Sequence, residues 1–385
     1  MDIRNKFLPY ALPLIEEDEI NEVIDTLKSC WITTGPKTKL FEEKFKEYIG
    51  AKHAIALNSC TAGLHLSLVA SNIKAGDEVI TTPFTFCATV NVIEHVGATP
   101  VLVDIDEKTF NIDVNKIEAA ITEKTKAIMP VHFAGQSCEM DKINEIAKKH
   151  NLLVIEDAAH TIGAEYKGRK TGQDSYSCSY SFYATKNLTT AEGGMVVTNN
   201  DELAEKLRIL SLHGISKDAW KRYTSEGNWH YEVIYPGFKY NMTDIQAALG
   251  LCQLKKLDRF NDTRAKYARM YDEILGEISG IILPKECMPG KMVWHLYCIR
   301  LKEACRNEFI EKLKQKNIGT SVHFIPIHKH PYYRDKYGYK TGDFPVTDKV
   351  FEGLVSLPLY PLMTEEDVKY VAGCVAEQFK TCKSS

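Results

Sequence analysis

Four short stretches place reactive side chains at spacings that chemistry can use. In Ser179-Tyr-Ser-Phe-Tyr-Ala-Thr-Lys-Asn187, a strand-like run delivers Ser181 and then Lys186 into a turn rich in Thr, Ala and Gly. Most lysines are solvated surface charges. Aromatic and small neighbours around a single lysine would instead strip its water, lower its pKa and suit it to imine formation. In Leu153-Val-Ile-Glu-Asp-Ala-Ala-His160, a hydrophobic strand ends in two carboxylates, and Asp157 there can pair with a protonated ring nitrogen. An ordinary acid at a helix start would look the same. Asn58-Ser-Cys-Thr-Ala-Gly-Leu64 follows a strand and opens a helix, where free N–H groups and the positive dipole end suit a phosphate. Ser or Thr at this place is equally the common N-cap. The fourth stretch, Tyr235–Ala248, is a loop leading into a long helix that Thr243 and Asp244 begin.

A phosphate cup, a carboxylate for a pyridine nitrogen and a lysine for an aldehyde are the three requirements of a pyridoxal phosphate site, and their combination is far more specific than any one of them. The surrounding pattern is of the kind that could hold them together. Between about 50 and 200, short β-branched runs alternate with helix-period segments. Strands are expected at Ala54–Leu57, Glu78–Thr82, Pro100–Asp104, Ala127–Val131, Leu153–Glu156, Ser179–Phe182 and Met195–Thr198. Helices are expected at Thr61–Ser71, Phe86–His95, Val114–Ile121, Met140–His150 and Glu202–His213. Such alternation implies an α/β fold around a mostly parallel buried sheet, whose ligands collect at the carboxyl ends of the strands. Upstream, Ile20, Val23, Ile24 and Leu27 recur at helical spacing and define an amphipathic helix, which exits through a turn at Trp31–Pro36. Downstream, a helix starts near Thr243 and runs beyond Tyr267. It is followed by a strand (Val293–Leu301), a helix (Glu303–Lys316), a strand (Thr320–Phe324) and a terminal helix (Glu365–Gln378). The expected division is an N-terminal segment with a large domain over 1–260, and a small C-terminal α/β domain over 261–385.

Composition narrows the classes. The 385 residues carry 48 Lys+Arg against 51 Asp+Glu, a formal net charge of -3, which argues against a nucleic-acid binder relying on phosphate neutralisation. No run approaches the roughly 18 apolar residues of a membrane span, and the first residues lack the apolar core of a secretory signal. The 11 cysteines are scattered and odd in number, with no CxxC pair, which fits reduced thiols in a cytoplasmic protein better than disulfides or a zinc site. His323, His328 and His330 lie close together, but no helix-spaced pair or nearby Cys completes a metal set, so no metal is expected.

At this point the sequence resembles a known family. WITTGP (31–36), NSCTAGLH (58–65), GDEVITTPFTF (76–86), PVHFAG (130–135), VIEDAAHTIGAEYKGRKTG (154–172), SFYATKN (181–187), AEGGMVVTNN (191–200), GFKYNMTDIQAA (237–248) and VHFIPIHKHPYY (322–333) resemble the DegT-type nucleotide-sugar aminotransferases over nearly the whole chain. The opening WITTGP, the stretch His213-Gly214 with Asp218–Arg222, and the Lys-Tyr-Asn step are most similar to the branch making UDP-4-amino-4-deoxy-L-arabinose. The sequence departs from the family pattern at Cys60, where Gly or Ala is usual, and at Gln173-Asp-Ser175.

The resemblance implies a fold type I pyridoxal phosphate-dependent transferase acting in surface glycan or lipopolysaccharide biosynthesis. A nucleotide-linked 4-keto sugar would accept the amino group, and glutamate is the expected donor. By the same resemblance, Lys186 is the lysine that binds the cofactor aldehyde, and Asp157 is the partner of the pyridine nitrogen. Thr61 and Ser181 hold the phosphate with the backbone at Cys60, Phe86 covers one ring face, and His160 lies on the other near the ring hydroxyl. Asn241 resembles the asparagine that reaches the phosphate from a partner subunit, which implies a homodimer with shared sites. Thr33, Trp220, Arg222, His323 and Tyr333 would border the substrate, with Lys221, Arg222 and Lys329 as cations for its diphosphate. Three other readings compete. The family's sugar dehydratases carry His in place of the lysine, so Lys186 argues against that chemistry. A sugar-nucleotide sensor without turnover would not need an intact lysine and aspartate. An NAD-linked reductase would show GxGxxG after an early strand, and none is present.

Overall fold

The computed structural model describes residues 3–215, 230–302 and 305–382. The elements that build its core are α1 (Glu17–Lys28), α2 (Pro36–Ile49), β1 (His53–Leu57), α3 (Cys60–Ala70), β2 (Glu78–Thr81), α4 (Cys87–His95), β3 (Thr99–Leu102), β4 (Thr125–Ile128), α5 (Met140–His150), β5 (Leu153–Asp157), β6 (Ser177–Ser181), β7 (Gly194–Thr198), α6 (Asp201–Ser211) and α7 (Asp244–Leu275). The strands form one seven-stranded sheet in the order β1-β7-β6-β5-β4-β2-β3. All pairings among β6, β5, β4, β2 and β3 are parallel, and β7 alone runs against its neighbours β1 and β6. The fold is therefore α/β with a mostly parallel central sheet, as the alternating pattern requires.

That arrangement decides where chemistry can gather. The carboxyl ends of β1, β5 and β6 lie along one edge, and reversed β7 brings its first residue, Gly194, to the same edge opposite Leu57 and Ser181. β6 and β7 are buried throughout, which is why they read as unbroken small or apolar runs rather than alternating ones. Helix α3, buried along almost its whole length, packs against β6 and β7 on one side and α4 and α6 on others.

The C-terminal part adds β8 (Tyr297–Leu301), α8 (Arg306–Gln315), β9 (Leu354–Leu357) and α9 (Glu365–Cys382). β8 pairs antiparallel with β9 and with the short strand Ile281–Ile282. The expected division at 260/261 falls inside α7, a continuous helix of 32 residues that packs against α1, α2 and α9. The apolar cluster of the C-terminal part also takes in Leu8 from the N-terminus and Phe84, Phe110 and Phe133 from the large sheet region.

Several expectations shift. The apolar stripe of α1 faces outward: Ile20, Ile24 and Leu27 are 45%, 40% and 51% exposed, while Glu19 and Thr26 are buried. Glu19 faces inward because Lys256 (2.7 Å) and Gln253 (2.8 Å) from α7 satisfy its carboxylate. Helix α2 begins directly where only a turn is expected. Pro36 takes the first helical position, where its missing N–H costs nothing. The cap comes from far away in sequence: the Asp244 carboxylate accepts the N–H groups of Gly35 (2.7 Å), Lys37 (3.0 Å) and Thr38 (2.9 Å). Periodicity along one segment carries no trace of such a partner. The strand expected from Val293 starts only at Tyr297, because Trp294 adopts a left-handed φ of 45° that strand geometry excludes. Thr320–Phe324 contributes a single bridge, Ser321 to Ser356, and no strand. Val114–Ile121 is helical only to Ile117 and then tightens into a 3-10 turn to Ala120.

Candidate active site

Beyond the carboxyl edge of the sheet lies a cavity of about 320 Å³. The sheet side supplies Cys60, Thr61, Phe86, Asp157, His160, Ser181 and Lys186, and the C-terminal part supplies His295, His323 and Phe324. Of the fifteen residues singled out from sequence, eight therefore line one cleft: Lys186, Cys60, Thr61, Phe86, Asp157, His160, Ser181 and His323.

The floor is the start of α3. Ser59 caps the helix by accepting the Ala62 N–H (3.1 Å), and Cys60 and Thr61, whose first-turn N–H groups have no partner within the helix, line the cleft. Gly194 lets this turn sit against β7: a Cβ there would lie 2.5 Å from the Cys60 nitrogen. The Thr61 and Ser181 side chains border the same space. N–H groups at a helix N-terminus, beside two hydroxyls, are a donor set that could hold a dianionic phosphate.

Asp157 ends β5, which places its carboxylate in the cleft. One oxygen accepts the Thr89 hydroxyl (2.8 Å) and the other the Ala159 N–H (3.1 Å). Burial pushes the Asp157 carboxyl above its ordinary pKa, while those two donors and the nearby Lys186 favour the charged form. A cationic ring N–H is the partner that would complete this carboxylate.

Lys186 follows β6 on the turn that Asn187 anchors to Asn261 (2.7 Å) and to the Val293 carbonyl (2.8 Å). Burial pushes its amine down to about 8, with Cys60 and Asp157 opposing the shift and Arg264 adding to it. A lysine near 8 has a substantial neutral fraction at physiological pH, as imine chemistry requires. His160 accepts the Ala134 N–H at Nδ1 (3.3 Å), which leaves Nε2 as its donor, and burial holds it well below the ordinary histidine range. Phe86 is 59% exposed at the rim, its ring 5.9 Å from that of Phe324. His323 bonds Ser356 through Nδ1 (2.9 Å), and burial lowers its pKa to about 4.

The other candidates stand apart from the cleft. Tyr333 is buried against Val90 and Ile327, with its hydroxyl on Asn91, which withdraws it from the expected contact with substrate. Thr33 is exposed, and its carbonyl accepts the Asp244 N–H (3.1 Å). Asn241 bonds Thr34 (2.6 Å) and bridges Leu57, outside its own chain's cleft lining. Lys329 is ion-paired to Asp348 at 2.7 Å. Trp220, Lys221 and Arg222 lie outside the described residues. Sequence reasoning missed Tyr10, Thr89, His295, Asn187 and Arg264 as parts or supports of the site. No local pattern marks them. Trp294-His295 sits in what looks like the start of a strand, and Tyr10 reaches the cleft only because Leu8 pairs with Asn317 and Gly319 of the C-terminal part.

An amine lysine, a supported carboxylate and a phosphate cup fit pyridoxal phosphate on geometry alone. Comparison with known proteins agrees. The model of the DegT/DnrJ/EryC1/StrS aminotransferase family matches residues 13–376. The spore coat polysaccharide biosynthesis protein SpsC of Bacillus subtilis is 53% identical over 382 residues, covering 98% of each chain. Among solved structures, the sugar aminotransferase Spr1654 of Streptococcus pneumoniae in its PLP form superposes with a TM-score of 0.91 at 35% identity, covering 98% of this chain and 99% of that one. A PMP form of the same protein gives a TM-score of 0.92. Helicobacter pylori PseC, an aminotransferase involved in pseudoaminic acid biosynthesis, gives 0.91 at 32% identity, covering 98% of this chain and 100% of that one. The chain belongs to the DegT/DnrJ/EryC1/StrS family and is a pyridoxal phosphate-dependent aminotransferase.

Proposed function

We propose that this member of the DegT/DnrJ/EryC1/StrS family aminates a nucleotide-linked 4-keto sugar, with glutamate as donor, in the cytoplasmic supply of sugars for a surface polysaccharide. The observation that carries the reading is Lys186: a half-buried lysine, its amine lowered by desolvation, in one cleft with Asp157 and the first turn of α3. The sugar class rests on relatives whose names place them in polysaccharide and pseudoaminic acid biosynthesis. The arabinose derivative suggested by the sequence is one member of that class.

When bound, pyridoxal phosphate supplies an aldehyde that takes up the amino group and a ring that delocalises the electron pair left on the donor's α-carbon. The chain's residues do the rest. The Cys60 and Thr61 N–H groups and the Thr61 and Ser181 hydroxyls bind the phosphate. Asp157 accepts the N–H of the ring nitrogen and keeps it charged. His160, neutral with its proton on Nε2, donates toward the ring hydroxyl. Lys186 Nζ, once free of the aldehyde, is the base that would take the proton from the donor's α-carbon and hold it for return, and the same amine would serve in reverse for the sugar. A second copy of the chain would cover the outward apolar stripe of α1 and bring Asn241 to the neighbouring phosphate.

Glutamate alone should bleach the yellow absorbance of the holoenzyme, and a 4-keto sugar nucleotide should restore it. A panel of UDP- and dTDP-linked ketosugars then identifies the acceptor. Failure of every ketosugar to restore the colour after a glutamate-driven bleach would overturn the acceptor class and favour the sensor reading.

A further inference from the structure

His295 lies in the cleft and has no part in the proton transfers above. It reaches Lys186 from the loop before β8, with Nε2 3.5 Å from the lysine Nζ, the long end of a hydrogen bond. Its other nitrogen, Nδ1, lies 2.9 Å from Asn187 Oδ1. Which nitrogen carries the ring proton follows from the amides behind it. Asn261 donates from Nδ2 to the Ile162 carbonyl (3.2 Å), so its oxygen is free to accept. It accepts from Asn187 Nδ2 (2.7 Å), which donates also to the Val293 carbonyl (2.8 Å). With its nitrogen committed to two acceptors, Asn187 turns its oxygen to His295, and an oxygen can only accept. The proton therefore sits on Nδ1, and Nε2 carries a lone pair aimed at Lys186.

The ring is also fixed in place. Arg264 donates to the His295 carbonyl (3.3 Å) and to the Leu359 carbonyl (2.5 Å), and the His160 ring lies 4.4 Å away on one side. The charged and titratable groups acting on it are Lys186, His160, Arg264 and His323, all cationic or neutral, and each disfavours an imidazolium. Burial and these neighbours hold the ring well below the ordinary histidine range.

We propose that His295 is a positioning residue for Lys186: locked with its proton on Nδ1, it offers the Nε2 lone pair to the lysine amine and holds that amine in place while it is free of the cofactor. The proposal deepens the reading of Lys186 as the proton-carrying amine and rests on it. The need is physical. A lysine released between two half-reactions has four rotatable bonds, and an amine that wanders must be brought back before it can deliver a proton to a stated carbon. A neutral acceptor does this without adding a charge that would lock the lysine as an ammonium.

The test compares His295→Phe, which keeps a flat ring without a lone pair, with His295→Gln, which restores an acceptor. In cofactor-free protein, Lys186 is titrated by competitive acetylation with acetic anhydride, followed by peptide mass spectrometry. An acceptor favours the ammonium over the amine, so His295→Phe should lower the labelling midpoint by about half a pH unit, a roughly threefold change in the protonation constant, and His295→Gln should return it. In holoenzyme His295→Phe should lower kcat in both half-reactions and leave the KM for glutamate unchanged. An unchanged midpoint in a folded His295→Phe protein overturns the proposal. If that variant does not fold, ring-15N histidine spectra of the unmodified protein decide instead. The signal missing from His295→Gln must show the Nδ1–H tautomer, and the opposite tautomer overturns the idea. Because labelling needs no sugar substrate, a shifted midpoint alongside failure of every ketosugar would retain His295 and reject only the acceptor assignment.

Discussion

Thr89, on α4, donates its hydroxyl to Asp157, at the end of β5, across 2.8 Å, and with the Ala159 N–H it leaves this buried carboxylate short of one cationic partner. Asp157→Asn keeps the shape and removes the charge that would hold the cofactor nitrogen protonated. The expected result is a fall in the glutamate half-reaction of about 100-fold with cofactor still bound, as for loss of one preorganised electrostatic group. Stopped-flow absorbance measures it. An Asp157→Asn protein reacting at the parent rate would remove Asp157 from the mechanism.

The amine of Lys186 titrates near 8 in the folded chain, against 10.5 for the ordinary side chain. A lysine whose folded value is depressed lowers stability wherever the unfolded chain keeps the proton more readily. That cost is complete below pH 8, shrinks between the two values and vanishes above 10.5. Lys186→Met, in cofactor-free form, should therefore melt above the parent protein at neutral pH, with the gap closing as pH rises through this window. The same variant should lose transamination altogether. Thermal melts across pH that show a constant gap would mean the amine is not desolvated.

At Gly194, an added Cβ would press on the Ser59–Cys60 peptide that opens α3. Gly194→Ala should cost about 1–3 kcal/mol of stability, as overpacking does, because backbone and not a flexible side chain must give way. Cofactor affinity should drop by about tenfold, the equivalent of about 1.4 kcal/mol. Fluorescence titration of the cofactor-free protein reads this directly, and parent-like affinity would show that the first turn of α3 does not hold the phosphate.

The outward stripe of α1 and the position of Asn241 outside its own cleft make one prediction together. Ile20→Glu with Ile24→Glu should give monomers in sedimentation and abolish activity without unfolding the chain, because neither side chain is buried. Lys186→Ala and Asn241→Ala proteins, each inactive alone, should regain activity when subunits exchange. Absence of recovery in verified mixed dimers would place Asn241 outside the shared site.

Much of this protein is written locally. The buried strands β5 and β6, the N-cap before α3 and the capping box Thr243–Gln246 each depend on residues within a few positions, so spacing reveals them. The lysine, the aspartate and the first turn of α3 are legible for the same reason: each sits at the end of an element whose period marks it. Other features depend on a partner far along the chain. Asp244 caps α2 from more than 200 residues away, Lys256 and Gln253 draw Glu19 inward and so turn the apolar stripe of α1 outward, and Tyr333 is withdrawn by Asn91. His295 is the clearest case. Its type is plain in the sequence, but the nitrogen it offers to Lys186 is settled by a chain of amides through Asn187 and Asn261 to the Ile162 carbonyl. Residue types and periods fix which groups the chain possesses. Only tertiary contact fixes which of them meet, because a hydrogen bond is decided by distance and direction in space and not by separation in sequence.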